Sequence, residues 1–127
     1  MDPATIIRDC ATASAEARIG FAEVVGRLAA IGVERYFVDL VQGDSVYYLP
    51  GDDTERLAGH AMPGRAAAEF DAAAMAAAVR AAQAGLPYPA FRDRALEAGC
   101  VGYLACIAGR RVVYFGRSGD CHVEHFP

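Results

Sequence analysis

Apolar residues recur along this chain with two spacings, one helical and one typical of strands. From Phe21 to Ile31 they fall at i, i+3, i+4, i+7 and i+10, which predicts a helix with one apolar face. Gly32 follows, where a left-handed residue commonly ends a helix. Asp2 and Asp71 are typical helix starts, because Asp caps free N–H groups. Helices are predicted at residues 3–18, 21–31, 72–84 and 89–98.

Runs rich in β-branched and aromatic residues follow the second and fourth helices, which predicts strands there. Turn residues at 42–45 and 109–110 separate these runs and favour antiparallel hairpins. The predicted strands are 33–41, 46–49, 54–58, 100–108, 112–115 and 121–126, and residues 59–65 are predicted to form a loop.

The second half of the chain can be laid on the first with a constant offset of 67 positions and no gap. Gly32 then falls on Gly99 and Tyr36 on Tyr103, and the strand turns coincide. The alignment predicts an internally duplicated helix-helix-three-strand unit, with copies at 3–60 and 70–127. We therefore expect an α+β fold in a single domain over 1–127, with an antiparallel sheet and four helices packed on one face.

Composition limits the partners and the location. A length of 127 residues fits one domain with its own core. A net charge of −4 argues against nucleic-acid binding, which needs clustered Lys and Arg. The chain has no signal-peptide pattern and no run of the ~18 apolar residues that a membrane span needs, so we expect a cytoplasmic, soluble protein with no membrane partner. The four cysteines lack CxxC spacing and are expected to be reduced.

Four stretches carry a resemblance to a known family: FAEVVGRLAAIGVERYFVDL, VYYLPGD, AGCVGY and GRRVVYFGRSGDCHVEHFP. They cover most of the chain and resemble the YbcV-like proteins, a family of domains of unknown function found in bacterial genomes and prophages. The family often has His where this chain has Phe37. Some members carry a phage envelope label, so the resemblance implies a phage-related accessory role. It supplies no catalytic residues.

Asp39 interrupts an apolar strand, and the position 67 residues later holds Cys106. A carboxylate on a half-buried sheet must be hydrogen-bonded, paired or protonated, because burying it bare is costly. A raised pKa would make Asp39 a general acid or base, with Tyr48 beside it across the hairpin as a second candidate catalytic residue. The alternative is a structural ion pair of Asp39 with Arg35 or Arg27.

Tyr36, Tyr114 and Cys106 are the candidate ligand-binding residues, since Tyr offers an apolar ring with a polar tip. Packing in the core is the alternative for the tyrosines. The metal-capable side chains of the tail, which His60 could join, are Cys121, His122, Glu124 and His125. Strand alternation points them to different faces, so no metal site and no cofactor are predicted.

The leading hypothesis is a ligand-binding or self-associating protein that uses the uncovered sheet face. We expect that face to be apolar and rich in tyrosine, and such patches mark a small-molecule site or a homodimer interface. The alternatives are a small cofactor-independent enzyme with Asp39 as general acid or base, and a phage-related accessory protein.

Overall fold

The structure, a computed structural model, describes residues 2–58 and 63–127. These ranges contain four α-helices and six strands, which confirms the predicted α+β class. The helices are α1 (Pro3–Ala15), α2 (Phe21–Ala30), α3 (Ala72–Gln83) and α4 (Tyr88–Glu97). The strands are β1 (Arg35–Asp39), β2 (Ser45–Tyr48), β3 (Thr54–Leu57), β4 (Cys100–Cys106), β5 (Arg111–Gly116) and β6 (Cys121–His125).

The six strands form one antiparallel sheet in the order β3-β2-β1-β4-β5-β6. At its centre Arg35 is opposite Cys106 and Asp39 is opposite Gly102. A shift of 67 positions maps these two pairs onto each other, the β1–β2 register onto β4–β5, and the β2–β3 register onto β5–β6. The pairing is thus symmetric about the sheet centre. That the halves are copies of one duplicated unit stays a prediction.

Equivalent glycines end α2 and α4 and direct the chain into the sheet. Gly32 and Gly99 have left-handed φ angles of 87° and 86°. The Gly32 N–H donates to the Ala29 carbonyl and the Val33 N–H donates to the Leu28 carbonyl, both at a distance of 3.0 Å. These are the two bonds of a Schellman motif, which glycine favours because it lacks a β-carbon.

The helices pack on one side of the sheet, which we call the covered face, and the other side is the open face. Four of the five strand tyrosines lie on the covered face and are at most 6% exposed: Tyr36, Tyr47, Tyr103 and Tyr114. Tyr48 is the strand tyrosine on the open face, so the prediction of a tyrosine-rich open face is wrong. The helices contribute small buried side chains such as Ala13, Ala78 and Ala95, which leave room for phenol rings between the layers.

Within the described ranges, no helix is long and apolar enough to cross a membrane. All four cysteines are free thiols, as predicted, and Cys10 and Cys100 are buried among apolar side chains. Such buried thiols behave as small hydrophobic groups.

Candidate functional site

A cavity of about 540 Å³ lies between the helix layer and the covered face. The α1–α2 connection, the α3–α4 connection, the centre of the sheet and residues 124–127 form its walls. Much of the lining is apolar, including Val24, Val79 and Phe91. Four tyrosines add polar atoms to this surface: Tyr36, Tyr88, Tyr103 and Tyr114.

The sheet holds the cavity tyrosines in one continuous cluster of rings. Tyr36 packs edge-on against Tyr103, with ring centroids 6.4 Å apart, and Tyr103 lies 5.4 Å from Tyr114. Phe91 from α4 meets the Tyr114 ring at 6.0 Å. Tyr47 stacks on the far side of Tyr36 at 5.1 Å but does not line the cavity. These contacts fix the ring positions, so the hydroxyl groups are preorganised.

The cavity hydroxyl groups differ in their hydrogen bonding. The Tyr103 hydroxyl donates a hydrogen bond to the Tyr88 hydroxyl, with the two oxygen atoms 3.0 Å apart. The hydroxyl groups of Tyr36 and Tyr114 have no hydrogen-bond partner in the described part of the chain, although the two residues are 4% and 6% exposed. Neither oxygen is a buried atom without a partner, so both hydroxyl groups reach the open space of the cavity and are available to a ligand.

Burial raises the pKa of all four cavity tyrosines above the usual value near 10, and well above it for Tyr36 and Tyr103. Charge repulsion from neighbouring phenolates acts in the same direction. The four groups are therefore neutral at physiological pH, and each can donate a hydrogen bond.

The charged residues of the lining lie near solvent. Arg18 is paired with Glu16 at 2.8 Å, and both side chains are more than half exposed, at 58% and 57%. Glu124 contacts His122 at 3.0 Å. Phe21, 44% exposed, meets another lining residue, Phe126, edge-on at a centroid distance of 5.7 Å. The interior thus combines apolar walls with neutral hydroxyl groups.

The cavity brings together two of the five predicted site residues, Tyr36 and Tyr114. Asp39, Tyr48 and Cys106 do not line it. Tyr48 and Cys106 flank Arg35 on the open face, where the Arg35 guanidinium lies 3.9 Å from the Tyr48 ring centroid. The predicted sites are thus divided between the two faces of the sheet.

Asp39 is the last residue of β1 and stabilises the turn that follows. One carboxylate oxygen, Oδ1, accepts from the backbone N–H groups of Val41 and Gln42 at 3.0 and 2.9 Å. Tyr48 stands opposite Arg35 on the neighbouring strand. Arg35 is four positions from Asp39 along β1, so Tyr48 is roughly 13 Å from Asp39. The predicted neighbourhood of Asp39 and Tyr48 is therefore wrong.

The ion pairs predicted for Asp39 are also wrong. Arg35 pairs with Glu34 at 3.0 Å, and Arg27 pairs with Glu23 within α2. Because β1 ends at Asp39, its carboxylate is satisfied locally by turn N–H groups and does not need a cation.

In the tail, the register places His122 and Glu124 on the covered side and Cys121 on the other, as predicted, and His125 at the end of β6 also borders the cavity. In the two described segments, no three His, Cys, Asp or Glu side chains are placed to hold a metal ion. His60 lies outside the described residues.

Sequence reasoning missed Tyr88 and Tyr103 as site residues. The offset alignment contained a signal for both, because Tyr103 is equivalent to Tyr36 and Tyr88 to the lining residue Phe21. Comparison with protein-family models and with curated proteins finds no match for this chain.

Proposed function

We propose that this protein binds a small, mostly apolar molecule in the tyrosine-lined cavity. The observation that carries the proposal is the pair of hydroxyl groups of Tyr36 and Tyr114, which bond no described residue, on the wall of a cavity of about 540 Å³. Ligand sites in proteins commonly measure ~300–1,000 Å³ and combine apolar walls with a few fixed polar groups.

The chemistry of the walls restricts the ligand. The hydroxyl groups of Tyr36 and Tyr114 are neutral donors, so they favour a molecule with a hydrogen-bond acceptor such as a carbonyl oxygen or a ring nitrogen. The rings of Tyr103, Tyr114 and Phe91 offer flat surfaces against which a planar ligand can stack. Since Arg18 is exposed and paired with Glu16, it gives little compensation for a buried anion. We expect a neutral ligand that is aromatic or alicyclic.

Nile red tests this proposal, because it is planar, neutral and carbonyl-bearing, and its emission shifts in apolar surroundings. Tyr36→Phe and Tyr114→Phe should each weaken its binding about 3- to 10-fold, the effect of losing one hydrogen bond. Tyr47→Phe is the matched control, since Tyr47 is 5% exposed on the same sheet face but does not line the cavity. Equal affinity in all three variants would show that the hydroxyl groups do not contact the dye.

A second pair of variants tests the location of binding. Ala82 lines the cavity on α3, whereas Ala77 on the same helix is exposed to solvent. Ala82→Leu should reduce Nile red binding at least 10-fold by filling the cavity, and Ala77→Leu should leave it unchanged. Undiminished binding in a folded Ala82→Leu variant would place the dye elsewhere and overturn the proposal.

The other functional hypotheses stay predictions. An enzyme with Asp39 as general acid or base gains no support from the geometry, because the Asp39 carboxylate stabilises a turn outside the cavity. The resemblance to YbcV-like proteins and the phage-related accessory role rest on the quoted sequence stretches.

A further inference from the structure

The open face of the sheet carries an apolar belt across its middle. Cross-strand pairing aligns one row of side chains perpendicular to the strands, from β2 to β6: Val46, Phe37, Leu104, Val113 and Val123. Phe115 extends this belt by stacking on Phe37 at 5.8 Å, and the two rings lie over Gly102. Val123 is 41% exposed, and the rest of the belt is part-exposed.

The rows on the two sides of the belt differ in charge. One row contains Arg35, Cys106 and Arg111, and its two guanidinium groups make it cationic, with Arg35 also contacting Glu34 at 3.0 Å. The row on the other side contains Asp39, Gly102, Phe115 and Cys121, and Asp44 extends it through its backbone bond to Asp39. Asp39 and Asp44 make this second row anionic, and Arg56 of β3, which stands opposite Val46 at the end of the belt, contacts Asp44 at 2.5 Å. The belt lies between the two rows.

We propose that a second copy of this chain packs on the open face, related by a twofold axis that runs along the apolar belt. Such an axis superposes the belt on itself and reverses the strand direction, so each cationic row meets the anionic row of the other copy. Arg35 of one copy then lies over Asp39 of the other, and the contact occurs twice. A twofold axis parallel to the strands would instead place Arg35 and Arg111 against the cationic row of the other copy, which is unfavourable because like charges repel.

The face is large enough for this contact. Six strands spaced ~4.8 Å apart and about five residues long cover roughly 500 Å². Two copies therefore bury about 1,000 Å², the lower limit for a specific interface. Stacked sheets with interdigitated side chains are a common packing. Buried area alone does not determine affinity, so detection needs a wide range of concentrations, up to about 1 mM.

Sedimentation velocity over about 1 µM to 1 mM tests the proposal, which does not depend on the cavity function. We expect a monomer–dimer equilibrium. Leu104→Glu places a charge at the centre of the belt and should raise the dissociation constant at least 100-fold. Ala77→Glu, with the same change of charge on exposed α3, should have no effect. A strict monomer at all concentrations overturns the proposal, as does a dimer that survives Leu104→Glu, because that dimer must use another surface.

A double-mutant cycle tests the arrangement with two conservative variants that preserve the fold. Asp39→Asn keeps an oxygen that accepts the turn N–H groups, and Arg35→Gln shortens an exposed side chain. Each should weaken dimerisation about 3- to 10-fold, and the double variant should be no weaker than either single one. Within one copy the two residues are roughly 13 Å apart, so such coupling must act between copies. Additive effects on the dissociation constant would overturn the proposed axis.

Discussion

Four buried phenols and a partly buried one make the stability of this protein sensitive to alkaline pH. Burial raises the pKa of each above the value near 10 of an exposed tyrosine, and that of Tyr47 to about 12. The group comprises Tyr36, Tyr47, Tyr88, Tyr103 and Tyr114. Because the unfolded chain loses these protons first, stability is fully present below pH 10 and falls as the pH rises above it.

The size of the effect follows from the number of groups. A phenol that is ionised in the unfolded state and protonated in the folded state contributes about 1.4 kcal/mol per pH unit. Five such groups together remove at most roughly 7 kcal/mol by pH 11 and at most about 10 kcal/mol by pH 11.5. A domain of this size is stable by about 5–15 kcal/mol, so we expect cooperative unfolding between about pH 11 and 12.

Circular dichroism and phenolate absorbance at 295 nm, recorded through one alkaline titration, measure this effect. The loss of secondary structure and the ionisation of the buried tyrosines should coincide. The slope of the unfolding free energy against pH is proportional to the number of protons released on unfolding. Because Tyr47→Phe removes one of the five groups, it should reduce this slope by about one fifth. Ionisation of all six tyrosines near pH 10, with the circular dichroism unchanged, would show that the phenols are accessible in the folded state and would refute the reasoning.

Three further changes test the packing by chemical denaturation. Tyr103→Phe should lower the free energy of unfolding by about 1 kcal/mol, because it leaves the Tyr88 hydroxyl without its donor. Tyr36→Phe should be neutral or stabilising, and a loss above ~1 kcal/mol would reveal an intramolecular partner of the Tyr36 hydroxyl. Gly99→Ala should lower the free energy of unfolding more than Gly119→Ala. Both glycines have φ near 87°, but a β-carbon at Gly99 collides with a loop carbonyl, whereas one at Gly119 meets open space. Asp71→Ala should cost about 1 kcal/mol by removing the N-cap of α3, whereas Asp71→Asn should be tolerated.

The fold was largely predictable because local signals agree with one another. Apolar spacing and a terminal glycine mark α2, and α4 occupies the positions 67 residues later. The turn residues set the hairpins, and the strand registers follow the same offset. Predicted ends that were too long, such as β1 reaching Val41, reflect apolar residues that belong to the turn.

The position of the cavity could not be predicted, because both faces of the sheet are apolar. Strand alternation correctly separated Tyr36 from Phe37 but could not show which of the two faces the helices cover. That choice depends on the volumes of the residues facing the sheet across the layer, which single-strand patterns do not contain. The sequence pattern placed Asp39 within a strand, whereas in the structure it is the last residue of β1 and its carboxylate binds the turn that follows.

The offset of 67 residues also explains why one cavity hydroxyl lacks a partner. Several lining residues form pairs at this offset: Ile19 and Leu86, Phe21 and Tyr88, Val24 and Phe91, and Tyr36 and Tyr103. Tyr103 bonds the Tyr88 hydroxyl, and the position equivalent to Tyr88 holds Phe21, which has none to offer Tyr36. At the two positions that form this hydrogen bond, the halves of the chain therefore differ by one oxygen atom, since Phe21 stands where Tyr88 does.

Phe21→Tyr restores that oxygen and tests this account. The new hydroxyl should bond that of Tyr36 and raise the free energy of unfolding by about 1 kcal/mol, measured by urea denaturation. It should also weaken Nile red binding, because the Tyr36 donor is then occupied. In the Tyr36→Phe background the same substitution should lose its stabilising effect, since no partner remains. Equal effects of Phe21→Tyr in both backgrounds would contradict the pairing and leave the isolation of the Tyr36 hydroxyl without this explanation.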